Sequence, residues 1–481
     1  MSGLAFPRPV AALLSKRSMV IALIVACAFF MENLDATIIV TAVPRMAESF
    51  GISATRMSLG VTAYVLATAA CIPASGWFAD RFGARNLFCG AIGLFTLSSM
   101  ACGVAPSFPT FIAARIVQGA AAAMMSPVGR LVVLRTAEKR DLMQALSTLV
   151  WPALFAPVVG PPLGGLITSA ASWRWIFYVN VPLGLAGMAL VLAFIPNQRA
   201  SERTSFDLRG FGLMAITLGC LTYALDVIGS RELNFGLGAV LLSASALSGF
   251  FAVRHLESVP NPLVRLQPVR VRTFFVGCIT GGNISRAAIS ATPFLLPLMF
   301  QVGYGLSPVV SGMLLLIYMA ANLCMKAITN PILRRFGMRR VLMVNGALAS
   351  IGIAACALIS PRLPPVLPVL ILILAGATRS MQFTTITFIA FADIAPEQRA
   401  SASVLSSLAQ QISMGMGVAI GALMLNFSRQ LRGAASLSLF DFRLALVLAG
   451  VLSALAIFSY ATLASDAGAE ISGHRPTAPQ A

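Results

Sequence analysis

Long apolar runs alternate with short polar loops along all 481 residues of the chain. A helix that crosses a bilayer needs about 20 mostly apolar residues. Reading between the charged loops predicts fourteen such spans. They lie at about 18–43, 57–79, 87–105, 109–134, 143–170, 173–195, 210–230, 235–253, 273–300, 308–331, 341–360, 365–392, 400–427 and 441–464. The run from Met19 to Val43 carries acids and is longer than the roughly 7–15 residues of a signal h-region. It therefore reads as the first membrane helix.

One phrase in the polar loops occurs twice. Arg81-Phe82-Gly83-Ala84-Arg85 is matched by Arg335-Phe336-Gly337-Met338-Arg339. A repeat this far apart points to two related halves. If the two loops are equivalent, spans 1–6 form one bundle (18–195) and spans 9–14 another (273–464). Spans 7 and 8 (210–253) are then an inserted hairpin. Loops 196–209 and 254–272 flank it, and tails 1–17 and 465–481 close the chain. The expected fold class is an all-α polytopic membrane protein of two six-helix bundles plus this hairpin, 14 transmembrane helices in all. Repeated bundles in a membrane are the architecture of a secondary transporter.

Composition agrees. Charged residues make up 10% of the chain, against roughly 25% in a soluble domain. Hydrophobic residues make up 58%, and the mean hydropathy is +0.87. Lipid must be the solvent. The net charge of +18 would suggest nucleic acid in a soluble protein. Here the basic residues fall mostly in loops on alternate sides, so no nucleic-acid partner is expected. Most of them, including Arg135, Lys139, Arg140, Arg334 and Arg340, share one side with the N-terminus. The positive-inside rule then puts both termini in the cytoplasm, in the inner or plasma membrane. A monomer is expected, and an outer-envelope or adaptor partner is left open.

Other chemistry is thin. The eight cysteines are scattered, at positions such as Cys27, Cys89, Cys220 and Cys324, with no CxxC pair. No metal and no cofactor is expected. The two histidines, His255 and His474, lie outside the spans, and no nucleophile–base arrangement is visible, so no enzyme is expected. There is no GxxxxGK[ST] loop for direct ATP coupling.

Several motifs resemble those of the major facilitator superfamily. Gly76-Trp77-Phe78-Ala79-Asp80, running into Arg81–Arg85, resembles its helix 2–3 loop. Leu34-Asp35-Ala36-Thr37-Ile38-Ile39-Val40 with Ala42-Val43-Pro44 resembles the first-helix motif of its fourteen-helix drug:proton antiporters, the EmrB/QacA type. Arg115-Ile116-Val117-Gln118-Gly119 resembles the fourth-helix motif. Gly160-Pro161-Pro162-Leu163-Gly164-Gly165 resembles the fifth-helix antiporter motif. Trp173-Arg174-Trp175-Ile176-Phe177 through Asn180-Val181-Pro182 is typical of the same branch.

The resemblance implies a conformational switch at Gly76, Asp80, Arg81, Gly83 and Arg85, and a hinge or seal at Gly160, Pro161, Gly164 and Gly165. The residues allow physical readings beside it. Gly83 permits a tight turn, and Asp80 can meet a helix dipole or loop arginines. The glycines of span 5 permit close helix packing as readily as a moving interface. Gly415, Gly417 and Gly421 fall in the corresponding span 13.

Charge inside a span costs several kcal/mol and usually faces a partner or a water-filled path. Glu32 and Asp35 share a face of span 1. Counting 1.5 Å per residue puts Asp35 and Arg115 both roughly 9–12 Å below the outer boundary. The resemblance assigns proton coupling to Asp35 and Arg115; a fixed ion pair would use the same residues. Glu32 departs from the family pattern, and a second proton site, a cation-binding substrate contact and a lipid-shielded neutral acid are all open readings of it. Arg286 and Arg379 fall near mid-membrane in spans 9 and 12. Lys326, in span 10, falls nearer the cytoplasmic end. Cations with no acid in their spans suit an anionic ligand, or pairing with acids of the first half or with helix C-termini.

The leading expectation is a proton-coupled secondary active transporter that exports small amphipathic compounds by alternating access, a multidrug:proton antiporter. The alternative is a proton-coupled exporter of an anionic metabolite or metal chelate. Its partners would be a small-molecule substrate, protons and the lipid bilayer.

Overall fold

The computed structural model describes residues 8–52, 57, 59–136, 142–196, 205–229, 235–306, 308–434 and 437–473. Lys139, Arg140 and His474 lie outside them. Among the described residues every regular element is helical. The long helices are α1 (Arg8–Phe50), α2 (Leu59–Phe82), α3 (Ala84–Val104), α4 (Phe108–Thr136), α5 (Leu142–Ala170), α6 (Trp175–Phe194), α7 (Leu208–Gly229), α8 (Phe235–Ser258), α9 (Gly281–Leu298), α10 (Pro308–Phe336), α11 (Met338–Ala355), α12 (Val366–Phe391), α13 (Arg399–Leu431) and α14 (Leu439–Ala461). Among the described residues, 12 spans are long and apolar enough to cross a membrane. Helices α5 and α9 occupy the places of the fifth and ninth expected spans. The first helix runs well past both ends of its apolar run, because intrahelical hydrogen bonds continue through its polar ends.

The chain divides after Phe206 into two compact units. In the first, α1 packs on α5, α2 on α4, and α3 on α4 and α6. In the second, α9 packs on α13, α10 on α12, and α11 on α12 and α14. The helix pairs of one unit recur in the other. The hairpin α7–α8 belongs to the second unit, where α7 also lies on α13. At its base the Asp207 carboxylate meets His255 Nε2 at 2.8 Å and accepts the Gly210 N–H at 2.8 Å. Burial pushes the Asp207 carboxyl up, but these bonds and the Leu263 N–H outweigh it and hold it below its ordinary value.

The repeated phrase has a repeated conformation. Gly83 (φ 88°) and Gly337 (φ 76°) both turn the chain into the next helix in a region that favours glycine. Two further glycines mark matched helix crossings. A Cβ on Gly119 of α4 would strike the Tyr64 carbonyl of α2, and one on Gly376 of α12 would strike the Tyr318 carbonyl of α10. Tyr64 and Tyr318 are spaced in sequence as Arg81 and Arg335 are. Gly119→Ala and Gly376→Ala should therefore each destabilise the protein by about 1–3 kcal/mol, the usual range for overpacking. Gly90→Ala is the control, because no atom lies within 4 Å of its Cβ position. Thermal unfolding of the purified variants checks this. Equal melting of Gly119→Ala and Gly90→Ala would contradict the close-crossing account.

Candidate functional site

The deepest charges of the first unit form one network. Asp35 is 1% exposed and Arg115 is 0% exposed. Arg115 Nη1 donates to Asp35 Oδ2 at 2.7 Å. Gln118 Nε2 and Asn180 Nδ2 donate to Asp35 Oδ1 at 3.0 and 2.9 Å. The equal depths counted along α1 and α4 thus correspond to a direct ion pair. Arg115 also donates to the Gln118 side-chain oxygen and, through Nε, to the Gly60 carbonyl. Its guanidinium lies 4.3 Å from the centre of the Tyr64 ring, a cation–π contact. Its Nη2 has no acceptor among the described residues. Asn180 donates to the Ser99 hydroxyl as well, which ties α6 and α3 into the network.

Gln118 and Asn180 were not singled out in the sequence, although both stand in the motif phrases. A polar residue three after Arg115 on an apolar helix was the available signal for Gln118. Glu32 stands apart from this network. Its Oε2 accepts the Ser126 hydroxyl of α4 at 2.7 Å, and its side chain is only half-buried. Both acids of α1 therefore turn toward α4, at different levels.

The internal repeat gives this network a comparison. By the spacing of Arg81 and Arg335, Asp35 and Ser99 correspond to Ile289 and Ile353. By the spacing of Gly119 and Gly376, Arg115 and Gln118 correspond to Leu372 and Ala375. Those four residues all belong to one buried apolar cluster of the second unit. The same place in the fold is filled once by a charged network and once by hydrocarbon. Glu32 corresponds by the same count to Arg286, so the charge there is inverted.

In the second unit, Arg286 is 1% exposed and Lys326 is 3% exposed. Arg286 Nη2 donates to Thr387 Oγ1 at 3.3 Å, and Lys326 Nζ donates to Thr384 Oγ1 at 2.6 Å. The two threonines are one turn apart on α12. Lys326 and Arg286 thus take separate partners on α12. Arg379 does not join them. It is half-buried, over the Phe383 ring at 5.1 Å, and Nη1 reaches Tyr318 Oη at 3.4 Å.

The loop residues separate in the same way. Asp80 accepts from Arg135 Nη2 of α4 at 2.8 Å. Arg81 is exposed, Arg85 donates to the Asn86 side chain, and Gly76 is half-buried within α2. A Cβ on Gly160 would strike the Thr37 hydroxyl of α1. Gly164 accepts the Thr168 hydroxyl through its carbonyl, and no atom lies within 4 Å of a Cβ on Gly165. The side chain of Pro161 lies outside the described residues.

The sequence profile of the Major Facilitator Superfamily matches residues 25–418. The chain belongs to that superfamily. It is 38% identical over 404 residues to a Cronobacter sakazakii protein carrying the name multidrug resistance protein MdtD, covering 84% of this chain and 85% of that one. An MdtD protein of Citrobacter koseri is 36% identical over 416 residues, covering 85% and 86%. The resemblance read from the motifs is thus confirmed. Among solved structures, the proton:xylose symporter XylE, bound to 6-bromo-6-deoxy-D-glucose, aligns with a TM-score of 0.66 at 15% identity, covering 94% of this chain and 97% of that one. The human organic anion transporter MFSD10 aligns with a TM-score of 0.64 at 13% identity, covering 92% and 99%. These two likenesses show the fold alone. The protein is an integral membrane transporter of the major facilitator fold.

Proposed function

We propose that the protein is a proton-coupled exporter of small amphipathic compounds, with Asp35 as the group that takes up and releases the proton. The carrying observation is the polar network at a place the second unit fills with Ile289, Leu372, Ala375 and Ile353. Packing does not require charge there. A buried ion pair is often no more stabilising than hydrocarbon of similar volume, so retaining one points to work done by the charge. Protonation of Asp35 would remove the charge that Arg115, Gln118 and Asn180 converge on. The freed donors would then favour a different helix arrangement. Glu32, half-buried on the same helix, is the candidate second proton site. Asp80 with Arg135 is the candidate latch between α2 and α4, and Gly160 the close α1–α5 contact that lets the seal move. The names of the MdtD relatives support a drug-like substrate.

Both termini and the Asp80 and Arg335 loops are proposed to be cytoplasmic, supported by the loop arginines. Inside-out vesicles should then accumulate an amphipathic dye only while their interior is acid, and a cysteine at residue 340 should resist external labelling of intact cells. Accumulation without a proton gradient would overturn the coupling, and ready external labelling would overturn the orientation. A second reading, export of an anionic metabolite or metal chelate, is favoured by one observation: Arg286 Nε and Nη1 have no acceptor among the described residues.

A further inference from the structure

Three side chains donate to Asp35, and only one of them can reverse. An ionised carboxylate is an acceptor alone, so the amide nitrogen of Asn180 must face it, at 2.9 Å. The same nitrogen lies 3.0 Å from the Ser99 hydroxyl. Ser99 therefore accepts there, and its own hydrogen goes to the Phe177 carbonyl at 2.9 Å. Gln118 is held differently. Its side-chain oxygen accepts from Arg115 Nη1 at 2.7 Å. Arginine only donates, so turning the Gln118 amide over would set donor against donor. Ser99 imposes no such direction, because a hydroxyl both donates and accepts.

A proton on Asp35 Oδ1 turns that oxygen into a donor facing donors. Turning the Asn180 amide over resolves the conflict, because its oxygen then accepts from Asp35 and from Ser99 together. The Ser99 hydrogen leaves the Phe177 carbonyl to do so. Asn180 is 1% exposed and Ser99 0% exposed, so bulk water does not stand in for either partner. Phe177 lies in the first turn of α6, just before the helix is interrupted at Val179. Pro182 withholds an N–H from the same stretch. The Phe177 ring packs edge-on against Phe111 of α4 and against Trp173, with centroids 5.8 and 6.2 Å apart. Phe50, at the end of α1, lies 5.4 Å from Trp173. The chain of hydrogen bonds thus runs from Asp35 into an aromatic cluster shared by the ends of α1, α4 and α6, the ends proposed above to be outer.

We propose that Asn180 and Ser99 form a hydrogen-bond relay that reverses when Asp35 gains a proton, releasing the Phe177 carbonyl and passing the proton state to this aromatic cluster. Both are positioning residues, and the relay rests on the reading of Asp35 as the proton carrier. Among the described residues, the charged and titratable groups around Asp35 are Arg115 of α4, Glu32 of α1, Tyr64 of α2 and Cys102 of α3. Helix α6 meets it with the Asn180 amide.

The test uses the full-length protein in lipid, with isotopically labelled asparagine, and infrared difference spectra between neutral and acid pH. Acidification should bring in a carboxylic C=O band that Asp35→Asn lacks. One asparagine side-chain amide band should shift with the same pH midpoint, and Asn180→Gln should lack it. In Asn180→Leu the carboxyl band should reach its midpoint about one pH unit higher, because the ionised form has lost a donor. Ser99→Ala should keep the carboxyl band, yet accumulate dye in acid-interior vesicles at about a third of the wild-type level or less per folded molecule, the effect of one hydrogen bond. A carboxyl band with no asparagine amide shift would overturn the relay and leave Asp35 as the proton carrier. No carboxyl band dependent on Asp35 would overturn both. Wild-type accumulation per folded molecule by Ser99→Ala would overturn the passage to α6, because a serine that only stabilises the fold changes the amount of protein and not its coupling. Should an Asn180 variant fold poorly, the wild-type spectrum still decides, since the absence of any asparagine amide shift there contradicts the relay.

Discussion

Asp35→Asn should abolish uphill export. In vesicles with an acid interior, the variant should accumulate dye at less than about a tenth of the wild-type level. The amide is close in shape and its oxygen can still accept from Gln118 and Asn180, so the helices should keep their arrangement, at a cost in stability for the uncompensated Arg115. It cannot carry a negative charge to Arg115 or exchange a proton at neutral pH. Lost accumulation together with normal amounts of protein in the membrane is the expected pair of results. Wild-type accumulation against the gradient would remove Asp35 from the proposed role.

The second large effect is a contrast between two ways of dismantling the same network. Arg115→Ala alone leaves a buried carboxylate uncompensated, which should cost about 3–5 kcal/mol and lower the yield of folded protein. Converting Asp35, Ser99, Arg115 and Gln118 to Ile, Ile, Leu and Ala copies the residues the second unit uses at these positions. This fourfold variant, made together with Asn180→Leu so that no buried amide loses both its partners, should melt at or above the wild type, because hydrocarbon replaces a buried pair. It should also show no gradient-driven export. Thermal unfolding and vesicle accumulation, measured side by side, separate stability from coupling. A fourfold variant that fails to fold while Arg115→Ala folds well would mean that the network is structural.

Much of the architecture was legible because lipid leaves strong marks on a sequence. The spans stand out through missing charge, and the twofold plan through one loop phrase whose glycine, at Gly83 and Gly337, holds a positive φ. The contact of Asp35 with Arg115 followed from counting rise along two antiparallel helices. Gln118 and Asn180 were harder. Neutral amides scarcely disturb hydropathy, and the rotation of α6 that aims Asn180 at Asp35 is set by packing. That Lys326 and Arg286 take Thr384 and Thr387 as partners was hidden for a different reason. Residue depth locates a Cα, whereas a lysine or arginine head can lie several ångströms away. The glycine crossings at Tyr64 and Tyr318 depend on helix pairing and could be recognised only once α2 lay on α4 and α10 on α12.

Proton release on substrate binding tests the central claim most directly. Purified protein in weakly buffered detergent solution would be mixed with cationic, neutral and anionic amphipaths while a pH dye is followed. The account predicts that compounds which bind also release protons, and that Asp35→Asn binds them with no release. Binding without proton release by the wild type, or equal release by Asp35→Asn, would contradict it.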